Sequence, residues 1–211
     1  MVGRIIETDA DVAEGAAWLA ALEPRFATAL EQTGPLPLRR RDGGFTALLS
    51  AIVSQQISTA AADGIWRRME AAGATERAAI QGLSDEELRA CGLSRPKIRY
   101  VRALADSDLD FAALADLPDA AVIEALVELK GIGHWTAEIY AMFSLGRADV
   151  FAHGDLALQE AARVLFELEA RPDAAAMREI ALAWSPWRAV AARLLWAYYR
   201  VAKNREGVRS G

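Results

Sequence analysis

Between two helical stripes of this chain, Leu129-Lys130-Gly131-Ile132-Gly133-His134-Trp135-Thr136-Ala137 sets two glycines around a single aliphatic residue. Upstream, Val122, Ile123, Leu126 and Val127 recur at helical spacing, and downstream Trp135, Ile139, Met142 and Phe143 do so again. Glycine is a poor helix former, so the chain must turn sharply from one helix into the next. Glycines also allow successive backbone N–H groups to point to one side with no side chain in the way. The helix that follows presents its unpaired first-turn amides and the positive end of its dipole at the same place. Such a turn can hold a phosphate without lysine or arginine, although a bare Gly-X-Gly between helices is more often only a tight connection.

Helical signals fill the rest of the chain. Thr8 or Asp9 can cap a first helix running to about Gln32, striped by Val12, Ala16, Leu19, Leu22 and Phe26, before Thr33-Gly34-Pro35-Leu36-Pro37 stops it. Residues 35–44 are rich in proline, arginine and glycine and form the expected hinge loop. Phe45, Leu48, Leu49, Ile52 and Val53 mark the next helix. Ser84-Asp85-Glu86-Glu87 is a capping-box signature before Leu88, Gly92 ends that helix, and Ser94-Arg95-Pro96 starts another. Asp116 to Pro118 opens the helix that enters the glycine turn. Beyond the turn Gly146 is a stop, and Asp155 can cap a helix bearing Leu158, Ala161, Ala162, Leu165 and Phe166. Arg171-Pro172-Asp173 separates that from a helix ending near Trp184, and Ser185-Pro186-Trp187 opens the last one. No two-residue alternation outlasts Val150-Phe151, so the expected class is all-α, with about ten short helices. A chain of 211 residues with 53% hydrophobic content can form two small lobes flanking a cleft. The expected lobes are 45–150, containing the helix-turn-helix at 119–144, and a discontinuous 1–44 plus 151–211.

No apolar run approaches the roughly 20 residues of a membrane span. Met1-Val2-Gly3-Arg4-Ile5-Ile6-Glu7 lacks the apolar core of a secretory signal, so a cytoplasmic protein without a membrane partner is expected. One cysteine, Cys91, excludes an internal disulfide and a four-cysteine iron–sulfur cluster. The net charge of −5 argues mildly against nucleic acid, but the cations are clustered. Arg39-Arg40-Arg41 and Arg95-Pro96-Lys97-Ile98-Arg99 are two groups, and Arg188, Arg193, Arg200, Lys203, Arg205 and Arg209 face one acid, Glu206. Each group reads either as a nucleic-acid face or as solvated surface. Ser54-Gln55-Gln56-Ile57-Ser58 interrupts an apolar stripe whose next position would be Gln56. Its amides either tie down a helix end or face a ligand, since amides both donate and accept. Asp155 by itself reads as a helix N-cap.

These motifs in this order resemble the HhH-GPD superfamily of DNA glycosylases, and within it the AlkA-type 3-methyladenine DNA glycosylase II branch, over roughly Phe45 to Tyr199. The Leu129–Ala137 string resembles its helix-hairpin-helix. Ala51-Ile52-Val53-Ser54-Gln55-Gln56-Ile57-Ser58 resembles the helix end that probes the duplex, and Gly92-Leu93-Ser94-Arg95-Pro96-Lys97 the next signature. Asp149-Val150-Phe151 through Gly154-Asp155 resembles the segment ending in the catalytic aspartate, and Ser185-Pro186-Trp187-Arg188 the Pro-Trp-Arg motif.

The resemblance implies that a damaged nucleotide is flipped out of double-stranded DNA and its alkylated purine, of the 3-methyladenine type, is released in base-excision repair. Asp155 would meet the charge of the oxocarbenium-like sugar and direct water. Trp135, Trp187, Ile139 and Leu156 would line the base pocket. Gln55, Gln56, Ile57, Gly131, Gly133, His134 and Thr136 would contact DNA. In relatives that also cut the strand, a lysine stands where this chain has Trp135, so a water-using enzyme without lyase activity is implied. Lys97 and Lys130 do not occupy that place. No cofactor is implied for catalysis. A structural Na+ or K+ is implied at the hairpin, on the carbonyls of Val127, Leu129 and Gly131. The protein would act as a monomer, as a bacterial-type enzyme at the nucleoid. Gln56 stands where the branch carries an aliphatic wedge, and Ile139 and Leu156 where it carries aromatics. His153 reads either as reaching DNA or water or as a loop histidine. Two readings compete: a non-catalytic helix-hairpin-helix DNA-binding protein, and an alanine-rich helical interaction protein.

Overall fold

The computed structural model describes residues 2–209, with side chains through Lys203. Its helices are α1 (Asp9–Leu22), α2 (Pro24–Thr33), α3 (Phe45–Ser54), α4 (Thr59–Ala71), α5 (Arg77–Gly82), α6 (Asp85–Ala90), α7 (Arg95–Ala105), α8 (Asp119–Val127), α9 (His134–Phe143), α10 (Leu156–Leu165), α11 (Ala174–Leu182) and α12 (Arg188–Arg209), with a 3₁₀ turn at Ala113–Asp116. Among the described residues the extended pairing is one isolated antiparallel bridge, Ile5 with Arg147. No helix among them is long and apolar enough to cross a membrane.

The first expected helix is in fact two. Of the two caps the sequence offered, Thr8 is the N-cap, and it closes a reciprocal capping box with Asp11. Pro24 then forces Glu23 out of the helical region to φ −140, ψ 110, where it ends α1 and caps α2 through its carboxylate. Leu22, assigned to the apolar stripe, therefore ends exposed. The helix count exceeds ten because α4 and α5 give weak stripes. Only Ala62, Ile65 and Met69 bury from α4, and only Ile80 from α5.

Two compact units form, one from Met1–Val2 with Arg41–Tyr140 and the other from Gly3–Arg40 with Ala141–Gly211. The boundaries thus fall at 40/41 and 140/141, earlier in the chain than expected, and the second lies inside α9. In the first unit α3 buries Leu48, Leu49, Ile52 and Val53 while α7, packed beside it, buries Ile98, Val101 and Leu104. Burying a Leu or Ile of this kind contributes about 1.5–3 kcal/mol each. Lys97 turns inward and its Nζ donates to the Val53 carbonyl at 2.6 Å, satisfying the C-terminal end of α3. Burial lowers that amine from its ordinary value.

The second unit packs α12 against α10, α2 and α1. Ala189, Val190, Ala191, Ala192, Leu194 and Leu195 are all fully buried, so this stretch of α12 is buried on every side. Gly15 of α1 lets the backbone approach, because a Cβ there would sit 2.6 Å from Trp187 Cε3. Phe26, Phe151, Phe166 and Trp184 form an aromatic cluster with centroid separations of 5.4–5.8 Å. The basic C-terminal group is partly structural. Arg193, 1% exposed, donates to the Leu38 carbonyl at 2.9 and 3.2 Å and to the Ala189 carbonyl at 2.8 Å. Its guanidinium lies 4.8 Å from the Phe143 ring centroid. Burial, with the charges of Arg39 and Arg40, lowers it to about 10, leaving it a cation at neutral pH. The side chains of Arg205, Glu206 and Arg209 lie outside the described residues.

Candidate active site and nucleic-acid-facing turns

The glycine turn sits in the first unit. α8 ends at Val127, Ile132 N–H donates to the Leu129 carbonyl at 3.0 Å, and buried Ile132 anchors the turn between its glycines. Gly131 has φ +95, and an added Cβ would lie 2.7 Å from Tyr100 Cβ, so both backbone and space demand glycine there. Gly133 is different: nothing lies within 4 Å of its hypothetical Cβ. Its carbonyl takes the first backbone bond of α9, from Ala137 N–H at 3.0 Å. A glycine offers no capping side chain, and the amides ahead of Ala137 have no carbonyl partner inside the helix. His134 and Trp135 are exposed, Trp135 to 47%, whereas Thr136 is 6% exposed. The side chain of Thr136, expected to touch DNA, is buried. Ile139, half-buried, lies one turn after Trp135 on the same face of α9.

The Ser54–Ser58 stretch is a bend rather than a continuation of the stripe. α3 stops at Ser54, Gln55 is its C-cap, and Gln56 takes φ +57. Gln56 and Ile57 are exposed. Gln55 does not point outward as the reading of its amide as a DNA contact requires. Its Nε2 donates to the Gly131 carbonyl at 2.9 Å, tying the bend to the glycine turn. The tie-down alternative therefore describes Gln55 and the outward one describes Gln56. It also bears on the hairpin cation: the Leu129 and Gly131 oxygens already accept protein donors. A carbonyl oxygen has two lone pairs, so each of these keeps one for a cation.

Asp155 sits in the second unit as the N-cap of α10. Its Oδ1 accepts from Ala157 N–H at 2.9 Å, Leu158 N–H at 3.0 Å and Trp196 Nε1–H at 3.3 Å. The carboxylate is half-buried, and three donors fix its orientation. The turn that carries it is itself braced. Asp155 N–H donates to the Ala152 carbonyl at 2.9 Å, and buried Gln159 donates from Nε2 to the His153 carbonyl at 3.0 Å. Upstream, Asp149 receives Arg188 through Nε at 2.7 Å and Nη2 at 2.9 Å, and Ser185 Oγ at 2.8 Å. Ala189 N–H donates to the Ala148 carbonyl at 2.9 Å. Two of the motifs read separately in the sequence thus hold each other, and the Asp149–Arg188 fork anchors the approach to Asp155.

Leu156, beside Asp155, is 61% exposed and can border a bound base. Trp187 cannot. It is 2% exposed, lies under the Arg4 guanidinium at 4.4 Å and packs against Gly15, so it belongs to the core. The tryptophan at the carboxylate is Trp196, which the sequence reading missed. Its ring also packs on Phe143, 5.9 Å between centroids. No local signal marked it, because Trp196 and Asp155 are 41 residues apart.

Residues 49–187 match the family model described as HhH-GPD superfamily base excision DNA repair protein. DNA-3-methyladenine glycosylase 1 of Schizosaccharomyces pombe is 30% identical over 171 residues, covering 77% of this chain and 75% of that protein. A crystal structure of DNA-3-methyladenine glycosidase from Bacillus halodurans superposes with a TM-score of 0.82 at 34% identity, covering 95% of this chain and 94% of the other. The structure of the Schizosaccharomyces pombe 3-methyladenine DNA glycosylase in complex with abasic DNA gives a TM-score of 0.74 at 27% identity, covering 87% and 95%.

Proposed function

The chain belongs to the HhH-GPD superfamily of base excision DNA repair proteins, and from that premise we propose that it is a monofunctional DNA glycosylase releasing alkylated purines of the 3-methyladenine type from duplex DNA. The observation that carries this reading is the Asp155 carboxylate, held by three N–H donors at the start of α10. The named substrates of the similar proteins support the choice of base. We further propose that it works as a monomer in the cytoplasm, on DNA of the nucleoid.

The chemistry follows from the charge. An N-alkylated purine carries a positive charge, so it leaves with the electron pair of the C1′–N bond and needs no strong general acid. The cation then shifts to the sugar, where a fixed carboxylate stabilises it without having to reorient. Water adds to C1′ and passes its proton to the carboxylate. Trp135 offers an exposed aromatic face to a cationic base. It cannot form the Schiff base that a lysine there would. The Gly131–Gly133 turn and the positive end of α9 that follows it suit a backbone phosphate.

The test uses methylated duplex DNA with the wild-type chain and Asp155→Asn, with released bases separated by chromatography. Free methylpurine from the wild type and little from the variant is the expected result. No release by the wild type, or equal release by both, would overturn the assignment. Strand breaks without added alkali would indicate a lyase.

A further inference from the structure

Two residues before Asp155, His153 holds an arginine. Its Nε2 lies 2.8 Å from Nη2 of Arg178 on α11. A guanidinium only donates, so Nε2 accepts and the imidazole proton sits on Nδ1, 3.4 Å from the Phe151 carbonyl. The holder is therefore a neutral histidine. Its backbone is fixed at both ends, through its N–H to the Phe151 carbonyl at 3.0 Å and its carbonyl to Gln159 at 3.0 Å.

Arg178 is exposed, and among the described residues it has no carboxylate partner. Arg4, Arg25, Arg102, Arg163 and Arg188 pair instead with Glu14, Glu23, Asp85, Glu160 and Asp149. A carboxylate would orient a guanidinium and cancel its charge. A neutral imidazole orients it and leaves the charge available. Any deoxyribose brought to Asp155 carries phosphates on its 5′ and 3′ oxygens, beside the turn that bears His153.

We propose that Arg178, oriented by His153, grips a DNA backbone phosphate flanking the nucleotide presented to Asp155. The inference rests on the glycosylase reading above. It makes Arg178 a binding residue and His153 its positioning residue. The guanidinium keeps further N–H groups for a phosphate, and Arg suits the forked geometry.

The test measures binding of the full chain to a duplex carrying one stable abasic-site analogue, across about 50 to 200 mM salt. Each phosphate contact adds about 0.9 to the slope of log affinity against log salt. Arg178→Gln is expected to bind about tenfold more weakly at low salt. Its slope is expected to be shallower by about 0.9. His153→Gln keeps an oxygen acceptor for the guanidinium and should retain wild-type affinity, whereas His153→Leu should weaken binding severalfold. If Arg178→Gln does not fold by thermal melting, Arg178→Lys decides, by retaining the slope and losing affinity. An unchanged slope in Arg178→Gln, or one that steepens in Arg178→Lys, overturns the proposal. Base release by the wild type, measured alongside, separates the two failures. A wild type that releases bases while Arg178→Gln keeps its slope sinks the phosphate contact alone, and a wild type that neither binds nor releases sinks both.

Discussion

Two helix N-termini in this chain are built in opposite ways. The start of α9 follows Gly133, which has no side chain to cap its leading amides. The start of α10 is filled by Asp155, whose carboxylate takes the Ala157 and Leu158 amides. The same electrostatic feature, a positive helix end, follows a residue with no capping side chain in one place and is filled by a carboxylate in the other. The first end suits an anion from outside. The filled end fixes an anion of the protein's own. Their supports differ as well. The glycine turn is held by backbone, by buried Ile132 and by one amide from Gln55. The aspartate turn is held by side chains from α10, α12 and the Asp149–Arg188 fork.

The contrast is broken most severely at Asp155. Asparagine keeps an oxygen for the same three donors and removes only the charge, so melting should barely move. Base release should fall about 10²–10³-fold. A large loss of stability with modest loss of activity would mean that Asp155 is a cap and little more.

The two glycines sharpen the other side. Gly131→Ala adds left-handed strain and a collision with Tyr100, and should cost roughly 2–4 kcal/mol in denaturant unfolding. Gly133→Ala has open space and should stay within about 0.5 kcal/mol. Its effect should appear in duplex affinity instead. Equal destabilisation by both would show that Gly133 is structural too.

Trp196→Phe removes the Nε1–H donor while keeping an aromatic ring beside Phe143. A fall in base release of about three- to tenfold is expected, with about 0.5–1.5 kcal/mol of stability lost. Activity unchanged at this position would leave Asp155 positioned by its backbone donors alone. Gln55→Leu is the mildest case. Losing its bond to Gly131 should cost about 1 kcal/mol and weaken duplex binding a fewfold, with turnover of bound substrate unchanged.

Local signals proved readable where a residue satisfies its own neighbours. Ser84 closes the capping box its spacing announces, Thr8 is one of the two caps offered for α1, and Asp155 caps α10 as read. Each partner lies within three residues, so the pattern is complete in the sequence. Pro24 carried such a signal too, and it divides what was read as one helix. Partners distant in sequence left none. Gln55 reaches Gly131, Lys97 reaches Val53, and Arg193 reaches Leu38, and no spacing rule encodes those pairs. The tryptophans show why. Trp187 and Trp196 are nine positions apart, about two and a half helical turns, and so point to opposite sides. Both are apolar, and apolarity alone does not say which neighbour each meets.

By itself the sequence determined the all-α class, the sharp Gly131–Gly133 turn and the single acid of the Asp155 turn, because helix periodicity, glycine freedom and capping act over a few residues. Tertiary structure alone decided that Trp196 rather than Trp187 meets the carboxylate, that Gln55 braces instead of reads, and that His153 and Arg178 stand together. Those outcomes depend on which helix faces pack against one another, and packing is settled only when distant segments compete for the same space.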